Sequence, residues 1–282
     1  MNTLRLLKLR FSLIATKDFV PIGYIGGKIR GALGSSMFTL YCDKQKPDCN
    51  ACHHNRECVY GDLFKNPGKS AAFPTFPAPF VIEAPYDAKF PMIKKGEPFQ
   101  FSISIFGKAV SWWRQVILSV KSMFENSFEI FNTSFDYKNT FSVLEQKLIH
   151  DGENFLEDPC AAVWRDESVS TPLDEISIGI QFLSPVLLKD SKVFDPNFSE
   201  FVDAVFYRIA SMIDIYEGDA FTVPYGLLYR KPYIQVRQEG SFNSVVFQGN
   251  FSCYLPYIDI GSHLHIGKRS TYGFGKYEYK LL

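Results

Sequence analysis

The run Gly261-Ser-His-Leu-His-Ile-Gly-Lys-Arg-Ser-Thr-Tyr-Gly-Phe-Gly275 places four glycines, two histidines and the adjacent Lys268 and Arg269 in one short stretch. A core helix or strand has no use for that mixture, because glycine inside a regular element costs roughly 0.5–1 kcal/mol relative to alanine. Four glycines predict backbone at positive φ, or backbone pressed against something that a Cβ would block. A phosphate chain meets that description. N–H groups flanked by Gly267, Gly273 and Gly275 would form an anion-binding concavity, Lys268 and Arg269 would supply charge, and Tyr272 and Phe274 would offer flat faces to bases. The alternative is a mobile hairpin loop, which gives no reason for His263, His265 or the strand pattern Lys276-Tyr-Glu-Tyr-Lys-Leu-Leu282 that follows.

Outward from that loop, the preceding hundred or so residues read as β-α-β-β-α-β. Residues 176–183 alternate as a strand, and Asp195-Pro196 suits a helix start. Phe198, Phe201, Val202, Val205, Phe206 and Ile209 then fall at i, i+3, i+4, predicting a helix over 197–216 with one apolar face. Strands at 228–238 and 242–254, a short helix near 255–260, the loop 261–275 and a strand at 276–281 complete the order. The first part of the chain repeats it. Residues 3–14 alternate, and Ile25, Ile29, Leu33, Met37 and Leu40 mark a helix over 25–41, with Lys28 and Arg30 near its start and within reach of a phosphate. Strands at 80–83 and 99–106, a helix at 108–124 and a fourth strand at 128–131 follow. Residues 135–172 are acidic and poorly periodic, which suits a connector. The expected fold class is therefore α+β, with two tandem ferredoxin-like domains over 1–134 and 173–282.

Two stretches carry a family resemblance. "HLHIGKRSTYGFGKYEY" is similar to the C-terminal glycine-rich motif of the CRISPR repeat-processing endoribonucleases of the RAMP superfamily, and "GGKIRGALGSSMFTLYC" with "VYGDLF" resembles the N-terminal signature of the same group. "FQFSISIFGKA" and "SFNSVVFQGNF" extend the likeness over nearly the whole chain. The resemblance implies two ferredoxin-like (RRM-like) halves and metal-independent cleavage within a CRISPR repeat, leaving a 2′,3′-cyclic phosphate and a 5′-hydroxyl. It also implies a general-base histidine in or just after the first helix. Residues 25–41 contain none, and the next histidines, His53 and His54, stand inside a cysteine-bearing loop.

That loop holds Cys42, Cys49, Cys52 and Cys58, spaced C-x6-C-x2-C-x5-C. Four thiols with one CxxC knuckle match a tetrahedral zinc site, and a segment so short and polar would need the metal to fold. An iron-sulfur cluster is the alternative that the same ligands support. Cys160 and Cys253 lie apart and read as packing residues. The first residues alternate charge and hydrophobe, as in Leu7-Lys-Leu-Arg-Phe-Ser-Leu13, which is not a signal-peptide pattern. No apolar run approaches a membrane span. A cytoplasmic protein is expected, where clustered thiols mean metal more often than disulfide.

The 282 residues carry 30 Lys and Arg against 30 Asp and Glu, which by itself gives no sign of a polyanionic partner. Taken by segment the charge is uneven: 11 against 5 over residues 1–70, 12 against 22 over 71–226, and 7 against 3 over 227–282. RNA would meet the two basic ends, through Lys28 and Arg30 on one side and Arg230, Lys231, Arg237, Lys268 and Arg269 on the other. Histidine suits proton transfer near neutral pH. His265, then His263, are the expected catalytic groups, with Lys268 stabilising charge on the phosphorane. His150 sits in the acidic connector and is a poor candidate. A second reading is a non-catalytic RAMP subunit that holds guide RNA beside other CRISPR subunits. A third treats the cysteine loop as a protein-docking device on an ordinary α+β domain.

Overall fold

The computed structural model describes residues 2–20, 23–42, 48–49, 52, 58–65, 77–85, 92–125, 135–166, 176–188, 198–221, 244–249 and 252–282. Among them the chain forms two compact units, Arg5–Val163 and Met1–Leu4 with Trp164–Leu282. The strand β6 (Ala162–Arg165) lies across the division.

In the N-terminal unit, β1 (Thr3–Ala15), α1 (Ile25–Tyr41), β2 (Phe80–Glu83), β3 (Pro98–Phe106), α2 (Trp113–Glu125) and β4 (Phe135–Ser142) follow in β-α-β-β-α-β order. The sheet runs β2-β3-β1-β4, with β5 (Lys147–His150) hairpinned on β4. β1 is central because its alternation is the longest. Leu7, Leu9, Phe11 and Leu13 are fully buried on one face, registered against Ile105, Ile103, Phe101 and Phe99 of β3. Phe11 and Phe101 stack with centroids 5.2 Å apart. The other face is mixed: Leu4 and Leu6 are buried, Lys8 pairs with Glu83 at 2.6 Å, and Arg10 lies over Phe141 at 5.0 Å. Ile29, Leu33 and Met37 of α1 and Val116, Ile117 and Val120 of α2 close the core, and Ser36 Oγ donates to Ser119 O at 2.8 Å where the helices touch.

Two details differ from the sequence reading. The helix expected over 108–124 begins as a 3₁₀ segment, Gly107–Trp112, and becomes α-helical at Trp113. The strand expected at 128–131 lies outside the described residues, and 135–142, part of the acidic stretch read as a connector, forms a strand beside β1. Its alternation was hidden because most of its outward residues are polar or charged and a bulge breaks the register at Ser12/Leu13.

In the C-terminal unit, β7 (Ile176–Phe182) is flanked by β8 (Ser244–Gly249) and β9 (Tyr277–Leu281), antiparallel to both. α3 (Phe198–Tyr216) buries Phe198, Phe201, Val205 and Ile209 as its spacing predicted. Phe201 meets Phe247 and Tyr277 with centroids 6.1 and 5.1 Å apart. The strand expected over 228–238 lies outside the described residues. The one expected over 242–254 is shorter than read, since Ser252–Tyr254 is a 3₁₀ turn leading into α4 (Leu255–Leu264). Both units are thus mixed helix and antiparallel sheet.

Candidate nucleic-acid interface

α4 runs four residues into the stretch read as a loop. Gly261, Ser262, His263 and Leu264 form its last turn, and the loop proper begins at His265. Gly261 is small for a packing reason. A Cβ there would lie 2.4 Å from the Tyr277 hydroxyl and 3.0 Å from Val205 Cγ1, while that hydroxyl donates to Ile258 O at 2.7 Å. Arg208, fully buried on α3, donates from Nε to Leu264 O at 3.2 Å. Burial lowers its pKa to about 10, so it stays charged at neutral pH beside the carbonyl end of α4, where the helix dipole favours a cation.

His265 turns the chain at φ 56 and ψ 150, and Ile266 N–H donates to Gly275 O at 3.1 Å to close the loop at its base. Gly275 (φ 71) faces Ile266 so closely that a Cβ would lie 1.8 Å from the Ile266 oxygen. Gly267 (φ 78) leaves only 2.5 Å between such a Cβ and Leu187 O. The loop is pinned to the segment after β7: Lys268 N–H donates to Leu187 O and Gly275 N–H to Pro185 O, both at 2.8 Å. Ser184 joins the two, its Oγ donating to Gly273 O at 2.7 Å and accepting from Lys276 N–H at 2.9 Å. At the tip, Ser270–Tyr272 make a 3₁₀ turn between Arg269 and Gly273, both left-handed.

This accounting corrects the expectation of glycines opened toward a phosphate. At Gly261, Gly267 and Gly275 the space is taken by protein atoms. The N–H groups of Ile266, Lys268, Tyr272, Gly273, Phe274 and Gly275 donate to carbonyls of the same unit. The glycines build a closely packed, hydrogen-bonded loop. What they present is the exposed pair Lys268 and Arg269 at its tip, with Tyr272 half-buried behind them. Local alternation also does not set the two histidines alike: His263 is half-buried in the last turn of α4, whereas His265 is 0% exposed. A group so enclosed cannot touch an RNA strand in this conformation.

In the N-terminal unit, Lys28 and Arg30 are half-buried on α1, and the Arg30 guanidinium lies 5.3 Å over the Phe64 ring. Arg230, Lys231 and Arg237, with His53 and His54, lie outside the described residues. His150 is no surface connector histidine. It is 1% exposed, its Nδ1 accepts Gly152 N–H at 3.0 Å, and Tyr137 Oη approaches the same atom at 3.2 Å.

Cys42 caps α1, its N–H donating to Phe38 O at 2.9 Å, and Cys58 O accepts Asp62 N–H at 2.8 Å where the chain re-enters helix. The four cysteines are reduced and half-buried. Burial pushes the Cys49 thiol pKa up, Lys65 pulls it down, and Cys42, Cys52 and Cys58 each push it up. Among the described residues, no three His, Cys, Asp or Glu side chains converge as a metal site. The donor chemistry of four thiols fits zinc.

Comparison with known proteins agrees with this layout. Residues 4–160 match the AF_1859_N family model, an N-terminal domain. Residues 180–277, which hold the entire glycine-rich loop, match the family model of CRISPR-associated endoribonuclease Cas6. The chain belongs to the AF_1859_N family, whose N-terminal-domain model covers more than half of it, and its C-terminal part is similar to the Cas6 endoribonucleases. A curated relative, an uncharacterized protein of Archaeoglobus fulgidus, is 20% identical over 187 residues, which is 66% of this chain and 63% of that protein. The chain thus spans under two thirds of that relative's length. Among solved structures, a partial Cas6-RT-Cas1-Cas2 complex aligns at TM-score 0.53 and 11% identity over 99% of this chain and 46% of that one. A Cas6 product complex aligns at TM-score 0.52 and 10% identity over 98% and 100%. At such identities the likeness is one of fold, the ferredoxin-like fold of those Cas6 structures. No helix among the described residues is long and apolar enough to cross a membrane.

Sequence reading missed Ser184 and Arg208, which position the loop and the end of α4. Neither carries a local signature, since their partners lie 89 and 56 residues away.

Proposed function

We propose that the chain binds CRISPR precursor RNA and cleaves it within the repeat without a catalytic metal, leaving 2′,3′-cyclic phosphate and 5′-hydroxyl ends. The observation that carries this reading is the Cas6 family match across a hydrogen-bonded loop whose exposed tip is Lys268 and Arg269. In that reaction a 2′-hydroxyl loses its proton and attacks the adjacent phosphorus, and the 5′-oxygen leaves with a proton. His263, half-buried at the end of α4, is better placed for proton transfer than buried His265, whose part is to turn the chain into the loop. Lys268 stabilises the phosphorane charge. Partners would be repeat and guide RNA and other CRISPR subunits. Cys42, Cys49, Cys52 and Cys58 would hold one structural zinc ion, which fixes the segment after α1 and takes no part in cleavage.

A second reading, a non-catalytic subunit that holds guide RNA, is favoured by the absence of histidine from α1 and the burial of His265. Single-turnover cleavage of labelled repeat RNA in EDTA separates the two. The expected result is cleavage slowed by at least about a hundredfold in His263→Ala, with RNA affinity within a few-fold of the wild type. Wild-type protein that binds repeat RNA tightly and never cuts it across pH values and hairpin designs establishes the non-catalytic reading.

A further inference from the structure

The N-terminal unit contains an open cavity of about 580 Å³ between α1 and the π-helical turn Gly61–Lys65. α1 contributes Arg30, Gly31 and Ser35, and the opposite wall is Tyr60, Phe64 and Lys65. The aromatic wall is pre-assembled. Tyr60 and Phe64 stack with centroids 5.7 Å apart and planes 14° from parallel, Phe38 meets Tyr60 edge-on at 5.4 Å, and the Arg30 guanidinium lies over Phe64 at 5.3 Å. Gly34 lets that wall close on the helix, since a Cβ there would already touch Phe64 Cε1 at 3.0 Å. Gly31 is different. It is exposed, in the middle of a helix where glycine is unfavourable, its φ is ordinary, and a Cβ there would meet nothing within 4 Å. The backbone therefore does not require glycine at 31, and the open floor it leaves is what distinguishes this helix face.

We infer that this cavity is a nucleotide subsite, in which one unpaired base of the bound RNA lies against the Tyr60 and Phe64 stack with its phosphate held by Arg30 and Lys65. Aromatic faces accept any base, while paired cations and the Ser35 hydroxyl match a sugar-phosphate. A purely apolar ligand would leave those charges unused, and a bare anion would leave the aromatic wall unused. The inference rests on the RNA-binding reading above and adds a contact remote from the glycine-rich loop in sequence.

Gly31→Glu tests it, because the new side chain fills the floor and reverses the local charge while glutamate improves helix propensity. Full-length protein is titrated with repeat RNA carrying 4-thiouridine and crosslinked, alongside Gly31→Ala and a Lys268→Glu/Arg269→Glu double variant. The expected result is a Gly31→Glu protein that melts no lower than the wild type, binds repeat RNA at least about tenfold more weakly, and loses a crosslink mapped to Tyr60 or Phe64. Gly31→Ala should keep the crosslink, and the loop variant should keep it at saturating RNA. Equal RNA affinity in Gly31→Glu and the wild type overturns the subsite. Uridine monophosphate separates the two proposals. If the wild type binds no repeat RNA yet binds the mononucleotide in a way that Gly31→Glu abolishes, the subsite stands and the RNA-processing reading falls; binding of neither sinks both.

Discussion

His150 shows how one residue's surroundings choose its protonation state. Burial, then the nearby Lys121 charge, lower its pKa from 6.5, and its Nδ1 already accepts the Gly152 N–H, so the neutral imidazole carries its proton on Nε2. A folded-state pKa below the unfolded value means that the fold prefers the neutral ring. Its contribution to stability is complete above pH 6.5 and is lost as pH falls through 6.5 toward and below the lowered value. Urea midpoints measured between pH 8 and 5 should therefore fall on the acid side, and His150→Phe, which cannot titrate and keeps the ring contact with Phe155, should flatten that fall. An unchanged pH dependence in the variant would remove His150 as its source. Gly275 is a residue of the opposite kind, where no chemistry is at stake but no side chain fits. Gly275→Ala should cost at least ~2 kcal/mol in denaturant unfolding, because the methyl would overlap the Ile266 oxygen and the residue would keep a left-handed φ. A loss below ~0.5 kcal/mol would mean that the loop base reorganises freely.

At the scale of elements, α4, α3 and β9 meet at one crowded point. Gly261 supplies the gap, Val205 one wall, and the Tyr277 hydroxyl the other, with that hydroxyl spent on Ile258 O. Gly261→Ala should destabilise by about 1–3 kcal/mol through overpacking, and Tyr277→Phe by about 1 kcal/mol through a lost buried hydrogen bond. Because the clashing atom is the same hydroxyl, the double variant should lose clearly less than the sum, a coupling of ~0.5 kcal/mol or more. Strict additivity would show that Val205 alone sets the limit. The same packing explains why the helix near 255–260 extends to Leu264. Arg208 reaches the carbonyl there from another helix, a contact between residues 56 positions apart.

The cysteine segment belongs to the scale of the whole molecule, because it bears on how the N-terminal unit is finished beyond its core. The charges of Lys65, at the rim of the α1 cavity, and of the other three cysteines act on Cys49. Protein expressed without added metal should carry close to one zinc per chain by elemental analysis, and chelation should lower its melting temperature. Less than a tenth of that zinc, with no iron chromophore, overturns the assignment.

The order of elements was legible in the sequence, since period-two runs at β1, β3 and β7 and the 3.6-residue spacing of α3 are backbone periodicities that any buried face must show. So was the glycine-rich loop as a special structure, because four glycines, two histidines and two cations have no place in a core. What the glycines press against was decided only by the tertiary structure. The atoms that would meet their Cβ positions belong to Leu187, Val205, Ile266 and Tyr277, and a local run of letters holds no record of most of those contacts. The same is true of His263 and His265: two residues apart, one stands half-exposed at the end of a helix and the other is fully buried. Their difference comes from where α4 ends, which is set by Arg208 and the Ser184 segment through contacts that only folding brings together.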